Sequence, residues 1–268
     1  MPAKPPALIT GASGGIGLEL AKLFAADGHE LVLVARSQAK LEALADELGR
    51  GGVTAHVVAL DLSRPEAPAR LCAEVEARGL ALGYLVNNAG FGSVGEFWKL
   101  DRDRELEMID LNVRALVELT HRVLPGMIER GFGRVLNIGS TAGMQPGPRM
   151  ATYYASKAFV NSFTEAVAHE LRGTGVTATV HCPGPTATGF GAVSGNGETE
   201  LFRTGVATAA DVARDAYAAM HAGKVLRVHG LRNFLLSSSV RLTPRALIRP
   251  IVAKLNTPAK LATPTKPG

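Results

Sequence analysis

A glycine-rich turn between an apolar run and a helix-like segment constrains the fold more than any other stretch. Residues 7–9 are apolar, Gly11, Gly15 and Gly17 follow, and an amphipathic segment begins at Leu18. Glycine lets a backbone turn sharply and approach a pyrophosphate, and a helix N-terminus adds free N–H groups and a positive dipole end. The spacing is Gly-x-x-x-Gly-x-Gly rather than the longer-known Gly-x-Gly-x-x-Gly. The arrangement favours a nucleotide-binding turn, with a tight turn that holds no ligand as the alternative.

Apolar strands alternate with amphipathic helices along most of the chain. Further strands are predicted at residues 31–35, 53–60, 84–86, 134–138, 176–181 and 225–228, and helices at 38–48, 65–78, 101–129, 153–172 and 209–220. This order predicts an α/β fold, a Rossmann-type doubly wound parallel sheet in three αβα layers. Ligands of such sheets bind at the carboxyl ends of the strands. Because Asp61, residues 87–90, Ser140 and Gly184 all follow strands, we expect them on one edge with the glycine-rich turn.

Size and composition fit one large α/β domain. The chain has 268 residues, of which 46% are hydrophobic and 20% charged, enough to build a core. The first residues contain no apolar signal-peptide core, and no uncharged apolar run reaches the ~18 residues that span a bilayer. Cys72 and Cys182 lack metal-ligand spacing and are interpreted as buried thiols. We therefore expect a cytoplasmic protein without a metal site.

Arg36 and Ser37 follow the second strand, where an acidic residue would hydrogen-bond a ribose 2′-hydroxyl. The guanidinium instead offers a fork of donors and a permanent charge, which suits a 2′-phosphate, and Ser37 adds a hydroxyl donor. A solvated arginine at a strand end is the alternative interpretation. With the glycine-rich turn nearby, the pattern favours NADP(H) over NAD(H).

Tyr153 and Lys157 are four residues apart in a predicted helix and therefore share one face. A phenol ionises near pH ~10, and an adjacent ammonium favours the phenolate. The pair predicts a tyrosine that exchanges a proton close to working pH, as redox chemistry at a carbonyl requires. A half-buried helix tyrosine without a catalytic role is the alternative for an isolated Tyr-x-x-x-Lys. Neighbouring Tyr154 is interpreted as a packing residue.

Taken together and in this order, these residues resemble the single-domain short-chain dehydrogenases/reductases. The resemblance covers residues 8 to about 220 and rests on Thr10-Gly11-x-x-x-Gly15-Ile16-Gly17, Asp61-Leu62, Asn87-Asn88-Ala89-Gly90, Asn112, Ser140, Tyr153-x-x-x-Lys157 and Pro183-Gly184 with Thr186 and Thr188. It implies catalysis by Asn112, Ser140, Tyr153 and Lys157. Tyr153 would be the general acid in the reduction and the general base in the reverse reaction. Lys157 would lower the pKa of Tyr153 and hold the ribose hydroxyls of the cofactor. Ser140 would bind the substrate oxygen, and Asn112 would support a water relay.

The resemblance also implies an NADP(H) site. Its expected members are Gly11, Ser13, Gly15, Ile16, Gly17, Arg36, Ser37, Asp61, Leu62, Asn88, Ala89, Gly90, Tyr153, Lys157, Pro183, Gly184, Thr186 and Thr188. Asn87 is expected to tie neighbouring strands together rather than to contact the cofactor.

Three segments are expected to determine substrate specificity: residues 91–98, residues 141–146 and a glycine-, serine- and threonine-rich loop at 186–203, interpreted as a lid. Phe91, Met144 and Phe190 suggest a partly apolar pocket. The pocket favours a hydrophobic ketone, aldehyde or acyl carbonyl over a highly charged sugar.

The last part of the chain is basic. All 24 acidic residues lie at or before Asp215, whereas nine of the 29 basic residues lie after it. We divide the chain into an NADP-binding Rossmann domain, residues 1–228, and a basic amphipathic helical C-terminal extension, residues 229–268. Thr243 is predicted to cap a helix with Pro244 at its first position, and Pro250 to interrupt or kink it. The extension could pack on the domain or a neighbouring subunit, contact a membrane surface, or dock an acidic carrier or phosphorylated substrate; nucleic-acid binding is not expected.

The sequence thus predicts an NADP(H)-dependent oxidoreductase that acts on a small-molecule carbonyl or alcohol. The family resemblance implies a homodimer or homotetramer that pairs through helices near residues 110–129 and 153–172. The alternative is a non-enzymatic NADP(H)-binding redox sensor, or a protein that docks a membrane or partner through the basic extension. Four intact catalytic positions argue against that alternative, because a pure binding protein does not need them.

Overall fold

The computed structural model describes residues 4–194, 206–240 and 242–257. The strands are β1 (Ala7–Thr10), β2 (Leu31–Ala35), β3 (Ala55–Ala59), β4 (Tyr84–Asn87), β5 (Gly133–Ile138), β6 (Val176–Cys182), β7 (Thr186–Ala187), β8 (Ala207–Thr208) and β9 (Leu226–Val228). The helices are α1 (Gly15–Ala26), α2 (Gln38–Gly49), α3 (Ala67–Ala77), α4 (Arg102–Ile109), α5 (Leu116–Glu129), α6 (Ala151–Glu170), α7 (Phe190–Ser194), α8 (Ala209–His221), α9 (Leu231–Ser239) and α10 (Arg245–Leu255). We call the described residues up to 228 the sheet domain and those from 229 onward the extension.

Seven strands form one sheet in the order β3-β2-β1-β4-β5-β6-β9, and a separate two-stranded ladder joins β7 to β8. Every neighbouring pair in the large sheet is parallel. The strand order reverses between β1 and β4, and such a reversal opens a ligand-binding crevice at the carboxyl edge. The predicted doubly wound Rossmann-type fold is confirmed.

Alternating side chains on the strands build two cores, one on each face of the sheet. On β1, Ala7 and Ile9 pack with residues of α1, α2 and α8, whereas Leu8 packs with residues of α3 and α5. All three side chains are fully buried. Because successive strand residues point to opposite faces, a strand covered on both sides is apolar on both, which explains the uninterrupted apolar run at residues 7–9.

The predicted long helix at 101–129 is a composite. A π-helical segment, Asp110–Ala115, separates α4 from α5. Such wider turns are uncommon and occur frequently at functional sites. This one contains Asn112, a residue predicted to be catalytic.

The extension forms two helices, but its details differ from the prediction. Pro244 rather than Thr243 occupies the N-cap position of α10, and the Thr243 hydroxyl donates to the Ser239 carbonyl instead. Of the interruption or kink predicted at Pro250, the interruption is wrong, because the helix continues through that residue. Among the described residues, no helix combines the length and the apolar character needed to cross a membrane.

Candidate active site

A cavity of about 700 Å³ lies at the carboxyl edge of the sheet. It is lined by nearly all of the residues predicted to bind the cofactor or to act in catalysis: Gly11, Ser13, Gly15, Ile16, Arg36, Ser37, Asp61, Leu62, Asn88, Ala89, Gly90, Ser140, Tyr153, Lys157, Pro183, Gly184, Thr186 and Thr188. The prediction that strand ends gather these residues on one edge is confirmed. Gly17 and Asn112 do not line the cavity and lie behind its wall.

The glycine-rich turn forms one wall of the cavity, and its glycines are needed for two different reasons. Gly11 and Gly15 have φ of 68° and 56°, which residues with a Cβ rarely adopt. Gly17 is needed for close packing, since a Cβ there would lie 2.4 Å from both the Asn88 amide nitrogen and the Gly11 carbonyl oxygen. A Cβ at Gly14, the N-cap residue of α1, would meet no atom within 4 Å. The N-terminus of α1 therefore faces open space that could accept a pyrophosphate.

Hydrogen bonds from the end of β4 fix this turn. The Asn88 amide donates to the carbonyls of Thr10 and Gly11, at 2.9 and 3.3 Å. The Thr10 hydroxyl donates to the Val86 carbonyl and accepts from the backbone of residues 88 and 89. The Asn88 side chain is thus committed to holding the turn as well as lining the cavity.

Asn87 has the structural position that we predicted for it. Its amide donates to the Thr120 hydroxyl at 3.1 Å and to the Asn137 side chain at 2.9 Å, which ties β4 to α5 and β5. The prediction that Asn87 connects neighbouring strands is confirmed.

Cationic and hydroxyl side chains mark the end of the cavity beside β2. Arg36 is exposed at the cavity wall, and Ser37 caps α2 without a hydrogen bond from its side chain to the helix. Lys40, in the first turn of α2, lines the same end. Two positive charges, a hydroxyl and a helix N-terminus at one place suit a phosphate monoester. Lys40 was missed from the sequence, although its place in the first turn of the helix that follows Arg36 was the available signal.

At the opposite end, Tyr153 and Lys157 lie in the first turns of α6 beside Ser140. The Lys157 ammonium is buried and donates to the Ile138 carbonyl at 2.7 Å, and it lies 6.0 Å from the centre of the Tyr153 ring. The Ser140 hydroxyl accepts from the Ala142 amide at 3.0 Å and is also in hydrogen-bonding position to the Tyr153 phenol. These contacts bring three of the four predicted catalytic side chains together.

The pKa of Tyr153 departs from the sequence prediction. Burial raises the pKa of its phenol well above the ordinary range, and the hydrogen bond from Ser140 only partly opposes that shift. Burial also lowers the pKa of the Lys157 ammonium to about 8. Desolvation dominates this shift, so the lowering of the Tyr153 pKa toward working pH that we expected from Lys157 is not found in this structure.

Asn112 lies behind this site and is fully engaged in hydrogen bonds. Its carbonyl oxygen accepts from the Phe91 amide at 3.1 Å, and its amide group donates to the Phe91 carbonyl at 2.9 Å and to the Ser156 hydroxyl at 3.1 Å. Ser156 in turn donates to the Tyr153 carbonyl at 2.7 Å. Asn112 thus connects the π-helical segment to the turn of α6 that carries Tyr153, which is a positioning contact.

The wall near Tyr153 is largely apolar. Phe91 and Phe190 line the cavity as predicted, and the Phe190 ring lies 5.1 Å from the Tyr153 ring. Met144 does not line it and instead packs beside Val160 in a separate cluster, so that part of the prediction is wrong. Met150 takes its place in the lining. Half of the predicted lid, residues 195–203, lies outside the described residues.

Comparisons with known proteins identify chains similar to this one. A family model described as short chain dehydrogenase matches residues 6–198. The chain is 36% identical over 188 residues to a short chain dehydrogenase of Pseudocercospora fijiensis, which covers 69% of this chain and 61% of the relative. It is 37% identical over 195 residues to the NADP-dependent 3-hydroxy acid dehydrogenase of Salmonella typhi, which covers 72% and 77%. The chain thus spans less than two thirds of the first relative's length.

Solved structures extend the similarity to most of the fold. A short-chain dehydrogenase from Sphingobium yanoikuyae in complex with NADPH has a TM-score of 0.79 at 32% identity, covering 91% of this chain and 95% of that one. A short-chain dehydrogenase/reductase from Burkholderia phymatum in complex with NAD also has a TM-score of 0.79, at 27% identity, covering 92% and 96%. Structures similar to this chain therefore include complexes with either cofactor.

Proposed function

The chain belongs to the short-chain dehydrogenase family, and from that premise we propose that it is an NADP(H)-dependent oxidoreductase of a hydrophobic carbonyl compound or the matching alcohol. The observation that carries the proposal is that one cavity has Arg36 at one end and Tyr153, Ser140 and Lys157 at the other. A dinucleotide could extend between those ends. The substrate would then lie beside Tyr153.

The residues present fit the cofactor. The open space at the N-terminus of α1 is available to the pyrophosphate, and the cationic end beside β2 is available to a 2′-phosphate. Arg36, with Ser37 and Lys40, is the basis for preferring NADP(H) over NAD(H). When bound, the cofactor supplies the hydride of the reaction.

The chain's own residues supply proton transfer and orientation. In reduction, the Tyr153 phenol donates its proton to the substrate oxygen. The Ser140 hydroxyl hydrogen-bonds the same oxygen as negative charge develops there. The Lys157 ammonium, oriented by the Ile138 carbonyl, stabilises the phenolate that remains.

The apolar wall supports a hydrophobic substrate. Phe91, Met150 and Phe190 offer no charge to pair with a carboxylate or phosphate, and Phe190 lies against the Tyr153 ring. A ketone, an aldehyde or an acyl-type carbonyl with an apolar substituent fits that surface better than a charged sugar.

We also propose that the protein is a homodimer or homotetramer that pairs through α5 and α6. Exposed apolar side chains on both helices support this, namely Ile128 on α5 and Phe159, which stacks on Phe163, on α6. Light scattering coupled to size-exclusion chromatography tests it, and a monomer at micromolar concentration would refute it.

The central experiment measures NADPH consumption by the full chain over a panel of aliphatic and aromatic ketones, aldehydes and acyl thioesters. At least one hydrophobic carbonyl should be reduced, and Ser140→Ala should slow that reaction about 10²–10³-fold, the usual cost of removing an oxyanion donor. Ser238→Ala is the matched control, since this exposed serine of α9 does not line the cavity. Absence of turnover with NADPH bound would instead favour a redox sensor, and a Ser140→Ala rate equal to wild type would refute the site assignment.

A further inference from the structure

The extension contacts the sheet domain beside the apolar end of the cavity. Asn256, just after α10, is fully buried although it is polar and far along the chain. Its carbonyl oxygen accepts from the Tyr154 hydroxyl at 3.2 Å, and its amide group donates to the Pro148 carbonyl at 3.0 Å. One side chain therefore joins α10 to α6 and to the segment 145–150 that precedes α6.

Two apolar residues of α10 complete this contact. Ile248 and Val252 are buried in a cluster with Ala142, Met150 and Tyr154. Those three partners all line the cavity, whereas Ile248 and Val252 do not. The helix α10 thus supports the cavity wall from behind.

The backbone of segment 145–150 is held in its position by the residues around it. Arg149 has a φ of 69°, which a residue with a side chain rarely adopts unless its surroundings hold it there. Its carbonyl accepts from the Gly95 amide at 2.8 Å. At Gly147 a Cβ would lie 2.0 Å from the Tyr154 ring, so the backbone rests directly on that ring. The position of Tyr154 therefore fixes the segment, and Asn256 holds both of them.

We propose that α10 is the back wall of the substrate end of the cavity and that Asn256 is the positioning residue that fixes segment 145–150, so that the extension selects which hydrophobic carbonyl compounds fit. This rests on the proposed function for its substrate class. The contact between Asn256, Tyr154 and Pro148 itself does not depend on that function.

The test uses the full chain and three variants. Asn256→Ala removes both hydrogen bonds, and Tyr154→Phe keeps the ring while removing only the hydroxyl that donates to Asn256. Leu247→Ala, on the exposed side of α10, is the matched control. Each protein is compared by amide hydrogen exchange of segment 145–150 and by steady-state kinetics with butanone, acetophenone and NADPH.

In Asn256→Ala we expect exchange in segment 145–150 to become about ten-fold faster, because a held segment gains access to open states. The KM for acetophenone should rise about three- to ten-fold, because the two lost hydrogen bonds act on the substrate only through the position of segment 145–150. The KM for NADPH should change by less than about two-fold, and residues 7–20 should exchange as in wild type. Tyr154→Phe should show the same changes with smaller size, and Leu247→Ala none of them.

The outcomes separate this proposal from the proposed function. Unchanged exchange in segment 145–150 in both Asn256→Ala and Tyr154→Phe would overturn the positioning role, whatever the enzyme does. Faster exchange with an unchanged preference between acetophenone and butanone would overturn the role in selection. A wild-type protein that reduces no carbonyl would refute the proposed function alone, since amide exchange of segment 145–150 still reports the contact between Asn256 and Tyr154. If Asn256→Ala fails to fold, Tyr154→Phe decides the question.

Discussion

In the sheet domain, strands β1 and β2 bury their side chains on both faces, whereas in the extension α9 buries only Ser237, and α10 only Ile248 and Val252. Leu231 and Leu242, by contrast, are 73% and 90% exposed. The two regions therefore differ in the part of the cavity that they build as well as in their buried contacts. The sheet domain holds itself together and builds the nucleotide end of the cavity. The extension has few buried contacts, but they are concentrated behind the substrate end.

The two adjacent tyrosines offer the sharpest test of this comparison, because Tyr153 is the proposed acid and Tyr154 faces the extension. Tyr153→Phe should reduce turnover about 10²–10⁴-fold, the usual contribution of a positioned general acid. NADPH affinity, measured by fluorescence titration, should be kept. Tyr154→Phe should cost less than about ten-fold, and mainly in KM. Equal losses of turnover in the two variants would contradict the different roles given to the sheet domain and the extension.

The free energy of unfolding should also distinguish the sheet domain from the extension. Leu85→Ala removes a fully buried side chain of β4 and leaves a cavity. It should lower the free energy of unfolding by about 2–5 kcal/mol. Leu247→Ala in α10 should change it by less than about 0.5 kcal/mol, because that side chain is 58% exposed. Urea denaturation measures both. A cost at Leu247 comparable to that at Leu85 would show that a partner covers the extension.

Arg36→Asp tests the nucleotide end. The variant should raise the KM for NADPH about 10–100-fold, since it replaces a charge-assisted hydrogen bond with repulsion, and should leave the KM for NADH much less affected. Arg232→Asp makes the same change of charge on α9, where it should alter neither constant. Cofactor kinetics under saturating substrate measure this, and a wild-type preference in Arg36→Asp would refute the phosphate contact.

Acid should affect the sheet domain more than the extension, in which His229 is the only histidine and no side chain is a carboxylate. Burial lowers the pKa of His181 on β6 to about 4, whereas an unfolded histidine titrates near ~6.5. The unfolded chain therefore binds more protons between those values, and stability is lost as the pH falls through that window. The loss at pH ~5 should be about 1–2 kcal/mol.

The neighbours of His181 act in the same direction. Despite burial, hydrogen bonds from Arg227, His181 and His229 keep the pKa of the Asp215 carboxyl well below its usual range. Protonating that carboxyl at still lower pH removes a further contribution to stability. Thermal unfolding at several pH values measures the effect. His181→Gln keeps a donor toward Asp215 and should flatten the profile between pH ~6.5 and ~4, whereas exposed His121→Gln should leave it unchanged.

Much of the sheet domain could be predicted from the sequence because its evidence is local. Apolar runs, glycine spacing and strand-end residues are all read within a few positions, and parallel topology then gathers the strand ends on one edge. Gly17 shows the limit of that reading. Its requirement for glycine comes from close packing against Asn88 and Gly11, which a motif cannot distinguish from contact with a ligand.

The substrate end of the cavity could not be predicted as well, because it depends on where side chains point and on contacts between residues far apart in the sequence. Met144 and Met150 are both apolar and six residues apart, and only the path of the backbone decides that Met150 faces the cavity. The pKa of Tyr153 depends on burial, which sequence spacing does not report. Asn256 gave no signal at all, since its partners are more than a hundred residues away.

That sequence separation also has a consequence for the order in which the protein assembles. Contacts between residues close in the chain form early, while those that close a long loop form late. The pairing of β1 with β2 and β4 needs only the first 87 residues, but the bond between Tyr154 and Asn256 spans 102. During synthesis, the glycine-rich turn and its strands can therefore be in place while the back wall is still unmade. The ability to recognise a particular carbonyl compound would be the last property that the growing chain acquires.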